Sequence, residues 1–185
     1  EVIDGLPEKW RKIDILVNNA GLARGLEKLH EGDTDDWDVM IDTNIKGLLY
    51  VTHAILPGMV ARNFGHIINV GSNAGREYYA GGAVYVATKH AVRAICKTLR
   101  LELLGTPIRL SEVAPGFVET ELSLVRFKGD QERADKAYEG FTPLTADDIA
   151  QTVEWVISRP PHVNINIISL MPTQQAFGTL ALHRS

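Results

Sequence analysis

Short apolar runs that end in small or polar residues recur along this chain, and longer stretches of helical period separate them. The runs are "IDILVNN", "GHIINVGS", "IRLSEVAPG" and "INIISLMP". Each is apolar at successive positions rather than alternate ones, which suits a strand covered on both faces. Between them, "TDDWDVMIDTNIKGLLYVTHAILPGMVARN" places Trp37, Met40, Ile41, Ile45, Leu48 and Leu49 at spacings of three and four. That pattern predicts a helix with Thr34 as its N-cap and a kink or break at Pro57. A second long helix is expected from about Gly82 to Leu104, closed by Gly105. Residues 119–143 read as irregular, with short helices at most. "TADDIAQTVEWVIS" opens on a capping box, Thr145 with Asp148. Strand and helix alternation of this kind specifies an α/β fold, a doubly wound parallel sheet of the Rossmann type with helices on both faces. No repeat or linker divides residues 1–185, so one domain is expected.

In such sheets ligands bind at the carboxyl ends of the strands. Here those ends read "NNAG", "VGSNAG" and "APGFVET". Polar and glycine residues thus collect where a site is expected. Beyond the serine, Tyr85 and Lys89 stand four apart on the second helix and share one face. An ammonium beside a phenol favours the phenolate and should lower the tyrosine pKa from ~10. A tyrosine tuned in that way gives a proton to a carbonyl or takes one from an alcohol. Tyr78 and Tyr79 are followed four residues later by Gly82 and Ala83, and suit a loop over a pocket. Alone, a Tyr-x-x-x-Lys pair is weak evidence, and a surface pair is the ordinary alternative. Ser72 at a strand end and Asn44, a poor helix former inside a long helix, give it company.

With these pieces in place the sequence resembles the short-chain dehydrogenases/reductases. The resemblance rests on "ILVNNAG" (Ile15 to Gly21), "DTNIKG" (Asp42 to Gly47), "INVGS" (Ile68 to Ser72), "YVATK" (Tyr85 to Lys89) and "APGFVET" (Ala114 to Thr120), in that order. "GLARG", "ELSLVRFKGD" and the tail "PPHVNINIISLMPTQQAFG" look like a narrower branch, the NADP-dependent 3-hydroxy acid dehydrogenases, which includes serine and L-allo-threonine 3-dehydrogenases. The resemblance implies Tyr85 as general acid/base and Lys89 as the residue that lowers its pKa and binds the nicotinamide ribose. It implies Ser72 as the group that polarises the substrate oxygen. Asn44 would stabilise a helix break and hold a water that links Lys89 to solvent. Asn19, Ala20 and Gly21 would flank the adenosine and ribose side of the cofactor, and Pro115, Gly116, Val118 and Thr120 its nicotinamide end. A small acid as substrate implies an arginine for its carboxylate, and Arg126 and Arg76 are the candidates, Arg126 first.

The family's glycine-rich phosphate turn is not found in this sequence. Against the family pattern the chain starts near the helix before "ILVNNAG", so roughly 60 residues, about one βαβαβ half, are expected to be missing. The Ile15 to Asn18 strand would then be a sheet edge. The usual NAD-versus-NADP determinant falls in that missing part, so NADP follows from the branch resemblance and NAD stays open. Two other readings stand beside the 3-hydroxy acid dehydrogenase: a 3-oxoacyl-type reductase of the same family, and a non-catalytic fragment.

Composition narrows the partners to a small-molecule substrate. A net charge of -4 argues against nucleic acid, and no apolar run reaches the ~18 residues of a membrane span. The start, "EVIDGLPEKW", does not read as a signal peptide. One cysteine, Cys96, cannot pair internally; it reads as a buried helix residue in a reducing, cytoplasmic setting. Six histidines lack metal-site spacing, so no metal is expected. Trp10, Trp37 and Trp155 read as packing residues. "GLLYVTHAILPGMV" and "AVRAICKTLRLEL" are apolar on more than one face, and with the family resemblance they predict a homotetramer.

Overall fold

A parallel sheet carries the chain, and the computed structural model describes residues 3, 5–177 and 181–184. In chain order the elements begin with β1 (Ile15–Asn18), α1 (Thr34–Ile41), a π-helical turn (Asp42–Gly47), α2 (Leu48–Arg62) and β2 (His66–Val70). Next come α3 (Ala83–Glu102), β3 (Arg109–Pro115), β4 (Val118–Glu119), α4 (Leu122–Arg126) and α5 (Gln131–Lys136). Last are β5 (Leu144–Thr145), α6 (Ala146–Ile157), β6 (Ile167–Leu170) and a hairpin of β7 (Gln175–Phe177) and β8 (Ala181–Leu182). The main sheet has the order β1-β2-β3-β6, all parallel.

Successive residues of β2 explain the continuous apolar runs. Ile67 and Ile68 point to opposite faces, yet both are fully buried. Ile67 joins Leu16, Leu110, Ile55, Met59, Val92, Cys96 and Leu99 beneath α2 and α3. Ile68 joins Val113 and Val156 beneath α6, with Ile149 and Val153 packed around them. Helices thus cover both faces of the central strands, the doubly wound arrangement the alternation implies. β1 is covered less. It pairs with β2 on one side, and Ile15 and Val17 remain 45% and 40% exposed.

Local expectations are met at several points and corrected at others. Thr145 and Asp148 form the capping box at the start of α6, and Cys96 is buried in α3. The first long helix is capped by Asp33, not Thr34: the Asp33 carboxylate accepts from the Asp35 amide at 3.0 Å, the usual N-cap to N2 bond. Pro57 does not break α2, which continues to Arg62. Both Pro57 and His53 are exposed, so water can satisfy the His53 carbonyl that the proline leaves without a donor. The irregularity falls at the π-helical turn instead. Trp10 and Trp155 are 63% and 45% exposed rather than packed in a core. Beyond β6 the chain forms the β7–β8 hairpin.

Candidate active site

The parallel register decides where the site lies. Asn18 pairs with Asn69, and Val70 with Val113, so β1, β2 and β3 end at one level. Residues 19–21, 71–72 and 116–118 leave the sheet there together. Ser72 takes an extended backbone and caps a short 3-10 turn, its hydroxyl accepting from the Ala74 amide at 3.1 Å. The chain then returns to begin α3 at Ala83, which brings Tyr85 and Lys89 back over the ends of the strands.

Lys89 is buried. Its ammonium donates to the Val70 carbonyl at 3.2 Å and lies 5.8 Å from the centre of the Tyr85 ring. Burial pulls its pKa down to about 8, and the Glu112 carboxylate works against that fall. An ammonium has three donors, and among the described residues only the Val70 bond engages this one. Gly21 lies next to it: a Cβ there would be in van der Waals contact, 3.4 Å, with both the Lys89 nitrogen and the Asn44 Oδ1. A buried cation with donors to spare, beside a glycine cradle at the strand ends, fits the hydroxyl pair of a cofactor ribose.

Asn44 holds this cradle together from the π-helical turn. Its Oδ1 accepts from the Leu22 amide at 2.9 Å, and its Nδ2 donates to the Leu22 carbonyl at 2.9 Å and to Thr88 Oγ1 at 3.0 Å. Thr88 in turn donates to the Tyr85 carbonyl at 2.8 Å. One amide therefore ties the loop after β1 to the helix that carries Tyr85 and Lys89. The wide turn presents that amide inward at a point where an α-helix would direct it elsewhere.

Tyr85 is half-buried. Burial raises its phenol above the usual 10; the Arg126 charge and a hydrogen bond with the Ser72 hydroxyl lower it without reversing the shift. The expected lowering by Lys89 is thus not what this structure shows. The nearer cation to the phenol ring is Arg126, its guanidinium 5.1 Å from the Tyr85 ring centre, against 5.8 Å for the Lys89 ammonium. The other end of that guanidinium donates to the Tyr79 hydroxyl at 3.1 Å, and its Nε is buried without a hydrogen-bond partner.

α4, which carries Arg126, is latched to the loop after β1. Arg24 Nη1 donates to the Val125 carbonyl at 2.6 Å, and the Gly25 amide to the Arg126 carbonyl at 2.9 Å. Thr120 Oγ1 accepts from the Leu122 amide at 3.3 Å at the start of the same helix. Arg76 has a different fate. It pairs with the buried Glu112 carboxylate at 3.2 Å and donates to the Ser72 carbonyl at 3.4 Å. Gly71 makes room for that carboxylate, since a Cβ there would sit 2.6 Å from Glu112 Oε1.

Pro115 ends β3, Val118 pairs with Leu144, and Asn19 and Ala20 stand exposed at the end of β1. Gln175 was not foreseen. Its Oε1 accepts from the Phe117 amide at 2.9 Å, and a Cβ at Gly116 would lie only 2.2 Å from it. The hairpin thus clasps the "PG" turn from behind. Nothing in the paired glutamines of the tail signals such a contact from the sequence. No group of three or more His, Cys, Asp or Glu among the described residues could hold a metal ion. No helix among them is long and apolar enough to cross a membrane.

Comparison with known proteins agrees with this geometry. The NADP-dependent 3-hydroxy acid dehydrogenase YdfG of Salmonella typhi is 56% identical across the whole chain, which spans 75% of that protein. The serine 3-dehydrogenase of Rhizobium radiobacter is 47% identical, and the chain spans 74% of it. A solved structure of the closed form of serine dehydrogenase complexed with NADP+ superposes with a TM-score of 0.94 at 52% identity, over all of this chain and 75% of that one. Residues 1–130 match the short chain dehydrogenase family. Family match, relatives and site geometry converge: the chain belongs to the short-chain dehydrogenase family.

Proposed function

We propose that this chain is an NADP-dependent dehydrogenase that interconverts a small 3-hydroxy acid and its 3-oxo form. The observation that carries the reading is the Ser72, Tyr85 and Lys89 constellation with the Arg126 guanidinium set over the Tyr85 ring. Proton chemistry and a carboxylate-binding cation stand side by side. The names of the relatives, 3-hydroxy acid and serine dehydrogenases, agree with that pairing.

Lys89 and Tyr85 would hold the nicotinamide ribose, Asn19, Ala20 and Gly21 the adenosine side, and Pro115, Gly116, Val118 and Thr120 the nicotinamide ring. Bound NADP supplies the hydride acceptor, or in reduced form the donor. The protein's own residues do the rest. Ser72 donates to the substrate oxygen and fixes it against Tyr85. In oxidation Tyr85 takes the hydroxyl proton as the C–H bond breaks; in reduction it returns that proton to the new alkoxide. Arg126 and Ser72, which lower the pKa of the Tyr85 phenol against its burial, favour the phenolate, and Lys89 stands 5.8 Å from the ring centre. Arg126 takes the substrate carboxylate, and its buried Nε is the donor for it. Arg76 is committed to Glu112 and is left out of this clamp.

Tyr85→Phe tests the reading. Cofactor affinity by fluorescence titration should fall less than about tenfold, the scale of one lost ribose hydrogen bond, while kcat should fall by ~100-fold or more. A variant that keeps over about a tenth of the rate would remove Tyr85 from the acid/base role. The buried lone thiol, pushed up to about 11 by burial, suits a reducing cytoplasm. We also propose one catalytic domain that assembles as a homotetramer.

A further inference from the structure

Tyr79 sits at the entrance to α3 in a place the geometry around it dictates. A Cβ on Gly82 would lie 2.2 Å from Tyr79 Cε2 and 2.5 Å from its Cζ, so the ring lies flat against bare backbone. The Gly82 amide also donates to the Tyr79 carbonyl at 3.2 Å, which closes the turn. Three residues on is Tyr85. The Tyr79 ring is therefore fixed to the same rigid start of α3 as the residue that moves the proton.

From that platform the Tyr79 hydroxyl accepts the Arg126 Nη2 proton at 3.1 Å. Arg126 lies between two tyrosines, 6.0 Å from the centre of the Tyr79 ring and 5.1 Å from that of Tyr85. Its main chain is held by the Gly25 amide, and its neighbour Val125 by Arg24. Head and backbone are thus anchored from two sides, and the Nε proton is unspent in a buried place. A guanidinium has five donors in a rigid fork. One bond at a single nitrogen fixes the plane of the fork and leaves other donors for a ligand. A phenol accepts without carrying charge, so it orients the arginine and does not compete with an anion for it; a carboxylate in this place would neutralise it. Burial, which raises the Tyr79 pKa, keeps the phenol neutral.

We propose that Tyr79 is the positioning residue for acid recognition: its hydroxyl holds the Arg126 fork over Tyr85 so that the free donors meet the substrate carboxylate. The inference rests on the reading of Arg126 as the carboxylate clamp. It assigns Tyr79 a role in selecting acids over neutral alcohols, with no contact to the reacting carbon.

Tyr79→Phe keeps the ring on Gly82 and removes only the hydroxyl. The expected result is a KM for a 3-hydroxy acid raised about tenfold, the scale of a hydrogen bond to a charged group. The KM for the methyl ester of the same acid should change less than about twofold, and kcat for the acid should stay within about threefold. Malonate, an inert diacid, should lose about the same factor as an inhibitor of ester turnover. In Arg126→Met enzyme, which should itself discriminate poorly, adding Tyr79→Phe should change nothing further. Equal losses for acid and ester in Tyr79→Phe would mean that the ring's loop, not the arginine, was disturbed, and would overturn the proposal. So would an unaltered acid-to-ester preference in Tyr79→Phe while Arg126→Met abolishes it; the clamp reading would then survive alone. If Arg126→Met keeps the preference, the clamp itself is wrong and the role of Tyr79 falls with it.

Discussion

Glu112 is the residue on which the charges of the site balance. Its carboxylate is buried in the middle of β3, with Arg76 at 3.2 Å on one side and the Lys89 ammonium within electrostatic reach. Burial lowers the Lys89 pKa, and Glu112 is what raises it back toward about 8. Glu112→Gln removes that support, so Lys89 should lose its proton at a lower pH than it does now. The alkaline limb of the kcat profile should move to lower pH as the ammonium is lost sooner. Arg76 keeps partial contact with water, so losing its partner should cost about 2 kcal/mol, below the 3–5 typical of fully buried pairs. Urea unfolding at neutral pH measures the cost, and a pH profile that does not move would remove Glu112 from the control of Lys89.

At the scale of elements the π-helical turn matters most. Asn44 makes three hydrogen bonds from a site only 2% exposed. Asn44→Ala should cost about 2–4 kcal/mol, at roughly 1 per bond plus the unsatisfied Leu22 groups. Activity should fall with it, because the same amide ties Leu22 to Thr88 and through Thr88 to Tyr85. Denaturant unfolding with an unchanged m-value is the check. Asn44 was legible in the sequence as a poor helix former in a helical pattern, but the kind of turn was not. The strands were legible because two-sided burial leaves continuous apolar runs, and Tyr85 with Lys89 because helical spacing is local. What escaped is long-range or depends on solvent. Tyr79 meets Arg126, and Phe117 meets Gln175, across separations that no periodicity encodes. Pro57 reads as a break until its neighbours are seen to face water. The direction of the Tyr85 shift depends on burial, which a Tyr-Lys spacing cannot report.

For the molecule as a whole, stability should depend on pH through His66. This side chain is buried at the start of β2 against Ser111 Oγ at 2.8 Å. Burial, with the Arg109 charge behind it, lowers its pKa from 6.5 to about 4. Between those values the unfolded chain binds the proton and the folded chain does not. Stability should therefore fall as pH drops from 6.5 to about 4 and level off below, by at most about 3 kcal/mol from this group. His66→Gln should flatten that window in unfolding curves taken across it; an unchanged slope would assign the acid sensitivity elsewhere. Assembly is the other prediction at this scale. Residues 47–61 contain no charged side chain, and on α2 Leu49, Tyr50, Val51 and Val60 are 42%, 69%, 40% and 42% exposed. Leu101 near the end of α3 and Leu104 just beyond it are 74% and 83% exposed. Leu49 and Val60 fall on one face of α2 by helical spacing, and exposed apolar residues on a helix face are ordinarily covered by a protein contact. The expected cover is the same face of a second copy, since a two-fold axis lets one patch complement itself. Leu49→Glu with Val60→Glu places two like charges on that face and repeats them across the axis. Light scattering should then show the wild-type assembly at micromolar concentration and smaller particles for the double variant. A wild-type monomer under those conditions would leave the apolar face of α2 without the role argued for it.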